Sequence, residues 1–449
     1  MPLTEADLEG EPVCETSSRR RWFVLALLFL ITVINFIDRQ TVSVLAPVLC
    51  RVLHLNSEQY GRIVAAFQFG MMTGELPMGA LMDRWGVRLG LMGAVLWWSA
   101  ATGMQSLART GTQLGFTRFW MGTGECGNYS GGMKIVFRLF KEKERTLAIG
   151  IFNGGSMIGA TIAPPLIVYL LLHFGFRAAF LLAASLGLLW VPLWWRVSRE
   201  SFREEKKATL PESSRITESS IAPQSITRAS KVAIRDLLAE PSLWAVMLCR
   251  FFIGPVAQFY WYWIPSYLFS VRHLSMAQIG FLGWIPFLLG DVGGLGGGWC
   301  AGWLQNRGLS TYRVRQWTMY SSSILCIASL LVPLASSAAI AFLLIGVAMF
   351  ADNYLSANMF GSMTDLFGEQ ELGRVTGFSG LAGGLSGLIF PLLTGVLVQK
   401  FSYAPVFFLV ALMPLVGTGA LFLFGRARYK RLQSQLAPAE EGARPSHTN

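Results

Sequence analysis

Stretches of 18 or more almost uncharged residues recur from residue 22 to residue 425, about twelve in all. Each is long enough to cross about 30 Å of hydrocarbon as a helix. The spans are read at 22–49, 60–82, 89–108, 112–137, 146–171, 177–196, 242–270, 277–304, 315–335, 338–362, 373–399 and 404–425. Such a pattern specifies an all-α membrane protein. Buried helices of a large soluble protein fail on number. Charged residues make up 14% of the chain and mean hydropathy is +0.47, where a soluble domain carries about 25% charge. The first apolar run, Trp22 to Leu49, is too long for a signal peptide and contains charges, so the N-terminus is expected to be retained.

The net charge of +11 does not point to nucleic acid, because Lys and Arg gather in short loops between apolar segments. One side carries Arg19-Arg20-Arg21, Arg84 with Arg88, the cluster from Arg138 to Arg145, the run from Arg307 to Arg315, Arg374, and Arg426 to Arg431. The other side has isolated charges such as Arg51, Arg109, Arg177, Arg272 and Lys400. The first side is therefore expected to be cytoplasmic, with both termini on it and the protein in the cell's inner membrane. The six cysteines form no CxxC and no Cys/His cluster, and no cofactor or metal is indicated.

Residues 197–240 are rich in Ser, Glu, Lys, Arg and Thr and read as a cytoplasmic linker, disordered or loosely helical. The expected organisation is a tail over 1–18, a six-helix bundle over 19–196, the linker over 197–240, a second six-helix bundle over 241–428 and a tail over 429–449. A repeat supports the division. Gly150 and Pro164 return as Gly377 and Pro391, while Gly79 and Arg84 return as Gly302 and Arg307. Parallel halves of six helices are a transporter design, with the solute site near the midplane between them.

The run Gly79-Ala80-Leu81-Met82-Asp83-Arg84-Trp85-Gly86-Val87-Arg88 follows the GxLxDRxGxR pattern and resembles the signature of the major facilitator superfamily. Glycine permits close helix approach, and Asp83, Arg84 and Arg88 can latch neighbouring helix ends. A tight turn with solvated charges is the plain alternative. In the second half, Gly297 to Gly308 keeps the glycines and Arg307 but lacks the acid.

Charges inside the apolar spans are costly and must face protein or a water-filled cavity. Asp38-Arg39 lies in the first span, and Arg118 with Glu125 in the fourth. Arg118 and Glu125 are seven residues apart, two turns and about 10 Å along one helix face. Asp38 and Arg39 point about 100° apart, so each needs another partner, and Arg118 with Glu125 is the expected set. Arginine suits a carboxylate through its fixed fork of donors, and a buried acid exchanges a proton as its surroundings change. A static ion-pair network between helices 1 and 4 is the competing reading.

Weaker candidates have two readings each. Asn153 and Ser156 in the fifth span suit a hydroxylated solute. Tyr260 and Tyr262 belong to the aromatic run from Phe259 to Trp263, which either lines the cavity or packs. Asn358 is a candidate solute contact. Glu75, Asp291 and Asp352 are polar groups in apolar context that serve either the solute or helix contacts.

Beyond the signature, the chain resembles the anion:cation symporter branch of that superfamily. The resemblance is carried by Val33 to Gln40, residues 79–88, Arg118 to Asn128, Phe152-Asn153-Gly154-Gly155, Ala163-Pro164-Pro165-Leu166, Trp284-Ile285-Pro286-Phe287, Ser356-Ala357-Asn358 and Phe390-Pro391-Leu392. It covers nearly everything from 20 to 425 and is greatest to hexuronate transporters. It implies proton symport of a sugar-acid monoanion such as glucuronate or galacturonate, with Asp38 and Glu125 carrying protons and Arg39 and Arg118 serving the carboxylate and the gates. Phe36 stands where relatives usually have tyrosine. Met71, Phe360 and Gly380 stand where galactonate carriers have Tyr, Trp and Asn, which argues against galactonate itself. The expected partners are a small organic anion, a proton and the lipid bilayer, with no nucleic acid and a monomeric assembly. A facilitator or exporter of another organic anion on the same fold is the alternative. No nucleophile–base set or cofactor loop supports an enzyme.

Overall fold

The computed structural model describes residues 18–208 and 234–441. The secondary structure there is helical: α1 (Ser18–Val52), α2 (Ser57–Trp85), α3 (Val87–Gln105), α4 (Gly111–Leu139), α5 (Glu142–Phe174), α6 (Phe176–Ala208), α7 (Ile234–Ala239), α8 (Pro241–Ser270), α9 (Met276–Leu282), α10 (Ile285–Asn306), α11 (Thr311–Leu325), α12 (Ala338–Leu366), α13 (Glu369–Lys400) and α14 (Ala404–Glu441). A 3-10 segment, Cys326–Leu331, continues α11. Counting α9 with α10 and α11 with its 3-10 extension, and setting aside the short α7, the chain makes the twelve crossings expected of it. Both described ends therefore lie on one side. By length and composition alone 8 spans qualify among the described residues; α2, α3, α4 and α11, richer in polar and aromatic residues, complete the set.

The expected linker is helical at both ends, since α6 runs to Ala208 and α7 occupies Ile234–Ala239. Residues 209–233, 1–17 and 442–449 lie outside the described residues. Much of the expected C-terminal tail continues α14, which reaches Glu441.

Capping residues mark where helices begin, and they expose the internal repeat. The Thr110 side chain accepts from Gln113 N at the start of α4, and Ser337 accepts from Ile340 N at the start of α12. Both helices have 29 residues and both end on an extended phenylalanine, Phe140 and Phe367. The offset is 227 residues at either end, the same offset that relates Pro164 to Pro391. Similarly, the turn after α2 ends on Gly86 at φ 79° and the turn after α10 on Gly308 at φ 84°, a conformation that disfavours other residues.

The halves touch at one end of the molecule and part at the other. A side chain begun at Gly61 on α2 would meet Pro391 O of α13 at 2.5 Å, and one begun at Gly395 would meet Ser57 O at 2.8 Å. Ser57 N donates to Gln399 Oε1 at 3.1 Å. Tyr60 OH donates to Tyr262 O at 2.7 Å, and Ser43 Oγ to Trp261 O. One turn after another along the same faces, Gln68 approaches Gly387 and Met72 approaches Gly384. Below them the contact ends: Gly79, Gly377 and Gly380 have no foreign atom within 4 Å of where a side chain would begin. Helices α2 and α13 thus diverge into a cleft that opens on the side of the chain ends.

Candidate functional site

The charged cluster sits where α1, α2, α4 and α8 converge. Arg39 reaches Glu125 with two nitrogens, Nε at 3.0 Å and Nη2 at 2.9 Å from the same Oε2. The Glu125 side chain is fully enclosed, while that of Arg39 retains 16% exposure, so the pair is reached from the arginine's side. Arg39 also donates weakly to Asn35 Oδ1 at 3.4 Å and lies over the rings of Phe36 at 4.8 Å and Phe67 at 5.4 Å. Small residues make this convergence possible. On α4, Gly122 packs against the α2 backbone at Phe67 and Gly124 against Trp97 and Trp98 of α3.

Arg118 is buried two turns from Glu125. Its guanidinium stacks on Phe67 at 4.4 Å and sends one weak bond to Arg39 O at 3.5 Å. It forms no ion pair among the described residues. Tyr60 and Tyr262 stand among its electrostatic neighbours, together with Glu125 and Arg39. A planar cation held on a ring has the fixed fork of donors that suits a carboxylate.

Asp38 is also buried, and neither of its carboxylate oxygens has a hydrogen-bond partner. The expected pairing of Asp38 with Arg118 is not made. Asp38 points about 100° around α1 from Arg39, and its polar surroundings are Glu125, Arg118 and the Trp98 indole, whose Nε1 is itself unpartnered. Of the four charges read from the sequence, Arg39 and Glu125 are joined, and Asp38 and Arg118 remain unbonded to an opposite charge.

The weaker candidates separate. Asn153 is exposed and lies on the α5 face that carries Pro164, against Gly283 of the second half, and Val168, against Gly280. It therefore faces the cleft. Ser156 turns its hydroxyl back to Asn153 O at 2.6 Å. Tyr262 lies at the cluster, whereas the hydroxyl of Tyr260 meets Ser329 Oγ at 2.6 Å inside the second half. Asn358 is buried with both ends of its amide engaged. Its Oδ1 accepts from Arg315 at 3.1 Å, and its Nδ2 donates to Gly297 O and Tyr354 O at 3.2 and 3.0 Å. Arg315 in turn pairs with Asp365 at 2.6 Å. Asn358 ties α10, α11 and α12 together and presents no free group to a solute.

At the open end, Asp83 pairs with Lys134 of α4 and Arg88 donates to Ser198 Oγ of α6 at 2.9 Å while lying over Trp195. Gly79 and Arg84 face open space or solvent. The signature thus fastens helix ends within its own half. Two contributors to the site escaped the sequence reading: Tyr60 and Phe67. Tyr60 and Phe67 are spaced by seven on α2, as Arg118 and Glu125 are on α4, and that shared period was the available signal.

The sequence profile of the Major Facilitator Superfamily matches residues 28–351 and 310–447. The chain belongs to that superfamily. It is a multi-pass membrane transporter and not an enzyme. Among similar superfamily proteins is the hexuronate transporter of Escherichia coli (strain K12), 28% identical over 88% of this chain and 92% of that protein. The galacturonate transporter of Dickeya chrysanthemi is 29% identical over 62% of this chain and 81% of its own length. A solved bacterial homologue of the human lysosomal transporter Spinster, in an inward-facing and unoccupied conformation, superposes with a TM-score of 0.71 at 18% identity, covering 94% of this chain and 99% of that one. This likeness gives the superfamily's fold, in keeping with the two halves and the single open end described above.

Proposed function

We propose that this superfamily member is a secondary active transporter that brings a sugar-acid anion, such as the hexuronates glucuronate or galacturonate, into the cell together with protons. The observation that carries the reading is the pairing of Arg39 with Glu125 beside an unbonded Asp38 and an ion-free Arg118. A proton taken by Glu125 releases Arg39, and the solute carboxylate then takes the place that Glu125 vacates, with Arg118 as the second donor. Asp38 holds the further proton, and the neutral form suits its unsolvated surroundings. The names borne by the relatives support a sugar acid as the solute. The basic flanks support cytoplasmic termini and an inner-membrane location, and on that reading the open cleft faces inward. The halves rock about the bound solute, as a monomer, while the latches Asp83–Lys134 and Arg88–Ser198 keep the first bundle rigid.

Uptake of labelled glucuronate and galacturonate into proteoliposomes tests the reading. Accumulation against a gradient only when the outside is more acidic is the expected result. Equal uptake with and without the proton gradient makes the protein a facilitator, and failure of both acids to enter removes the hexuronate assignment.

A further inference from the structure

The closed end of the molecule holds a chamber of about 300 Å³ that both halves build. Arg51 of α1 and Tyr60 of α2 line it from the first half. Trp263, Ser266 and Phe269 of α8, with Tyr403 in the turn before α14, line it from the second. The volume is that of a small-molecule site. It is distinct from the charged cluster. Arg51 follows Arg39 by twelve residues on α1, about 18 Å along the helix. Tyr60 stands between the two levels. It lines the chamber, its hydroxyl is spent on Tyr262 O at 2.7 Å, and Arg118 lies within its electrostatic reach.

Two donors in this chamber lack an acceptor, one from each half. Arg51 makes no ion pair among the described residues and keeps its guanidinium over the Phe269 ring at 5.4 Å, at the exposed rim. Trp263 is 2% exposed, and its indole N–H has no hydrogen-bond partner. A buried N–H left unanswered costs free energy that a ligand oxygen recovers. Much of the remaining lining is aromatic. Tyr60 and Trp263 meet edge to face at 5.0 Å, and Trp263 and Tyr403 at 6.4 Å. Such rings suit the apolar C–H side of a sugar, the indole N–H suits a hydroxyl, and the guanidinium fork suits a carboxylate.

We propose that this chamber is a second site for the sugar-acid anion, entered from the side opposite the chain ends, and that its occupant holds the closed end shut. Arg51 takes the carboxylate and Trp263 a ring hydroxyl. An anion bound to both ties the halves together at the place where they must separate for the central site to open outward. Solute in excess on that side therefore slows its own import. This rests on the sugar-acid reading above and adds a regulatory site to it.

Two measurements with labelled galacturonate test it: equilibrium dialysis against the purified full-length protein, and initial uptake into proteoliposomes over a rising external concentration. The wild type is expected to bind two molecules per chain, and its uptake rate to pass through a maximum and then fall. Arg51→Gln is expected to bind one molecule and to give a rate that rises to a plateau. Ser266→Phe, which fills the chamber from the other half, is expected to bind one molecule as well, and decides the stoichiometry if the glutamine variant does not fold. One molecule per chain in the wild type, two in either variant, or a wild-type rate that saturates without falling overturns the proposal and leaves the sugar-acid reading standing. Binding of no galacturonate by the wild type overturns both.

Discussion

Arg39 grips Glu125, 86 positions away in the chain, and not Asp38, its own neighbour. Two consecutive helical residues diverge too far to neutralise each other, so α1 sends its cation to α4 and keeps its acid apart. The consequence is a bonded pair and a separated acid within one cluster, which gives the two acids different chemistry.

Removing one member of the bonded pair strands the other. Arg39→Gln is expected to lower stability by about 3–5 kcal/mol, the usual cost of leaving a buried charge unpaired. The double variant Arg39→Gln, Glu125→Gln is expected to recover most of that loss without recovering transport. Thermal unfolding in detergent, set beside uptake, checks both halves of the statement.

Asp38→Asn is expected to behave in the opposite way. The carboxylate oxygens of Asp38 accept no hydrogen bond, so their neutralisation costs no contact and the melting temperature is expected to be unchanged or raised. Proton-driven accumulation is expected to disappear while solute exchange across the membrane persists. Full accumulation by this variant would show that Asp38 carries no proton.

Asn358→Ala separates a structural amide from a solute contact. The substitution leaves Gly297 O and an Arg315 donor unanswered, with an expected stability loss of about 1–3 kcal/mol. The order in which different sugar acids compete for uptake is expected to stay as in the wild type. A changed order would return Asn358 to the solute site.

The closed end can be locked. Ser57 and Gln399 meet there across the two halves. Cysteines at both positions, bridged by a short bifunctional thiol reagent with a cleavable disulfide in its spacer, are expected to stop uptake, with activity returning on reduction. Gel mobility and transport, measured on the same sample, report the two events.

Much of this was legible in the residues themselves. The apolar runs gave twelve crossings because hydrocarbon permits few other backbones. Asp38, Arg39, Arg118 and Glu125 stood out because charge is rare in such runs, and they do converge. Their pairing was not legible, since it depends on which way each side chain turns around its helix. Asn358 shows a related limit: an intramembrane amide signals a polar partner but not whether that partner is a solute or another helix.

Helices α2 and α13 meet like the two halves of a clothes-peg, with Met72 and Gly384 at the pivot. The arms are of unequal length. Gly61 lies about 16 Å above that point and Gly79 about 10 Å below it, by the rise of an α-helix. Separating the backbones at Gly61 requires the lower arms to swing together. A compound wedged between Gly79 and Gly380 would therefore hold the far end shut without approaching the charges at all. Such a blocker would owe nothing to the shape of the natural solute, and raising the solute concentration would not dislodge it.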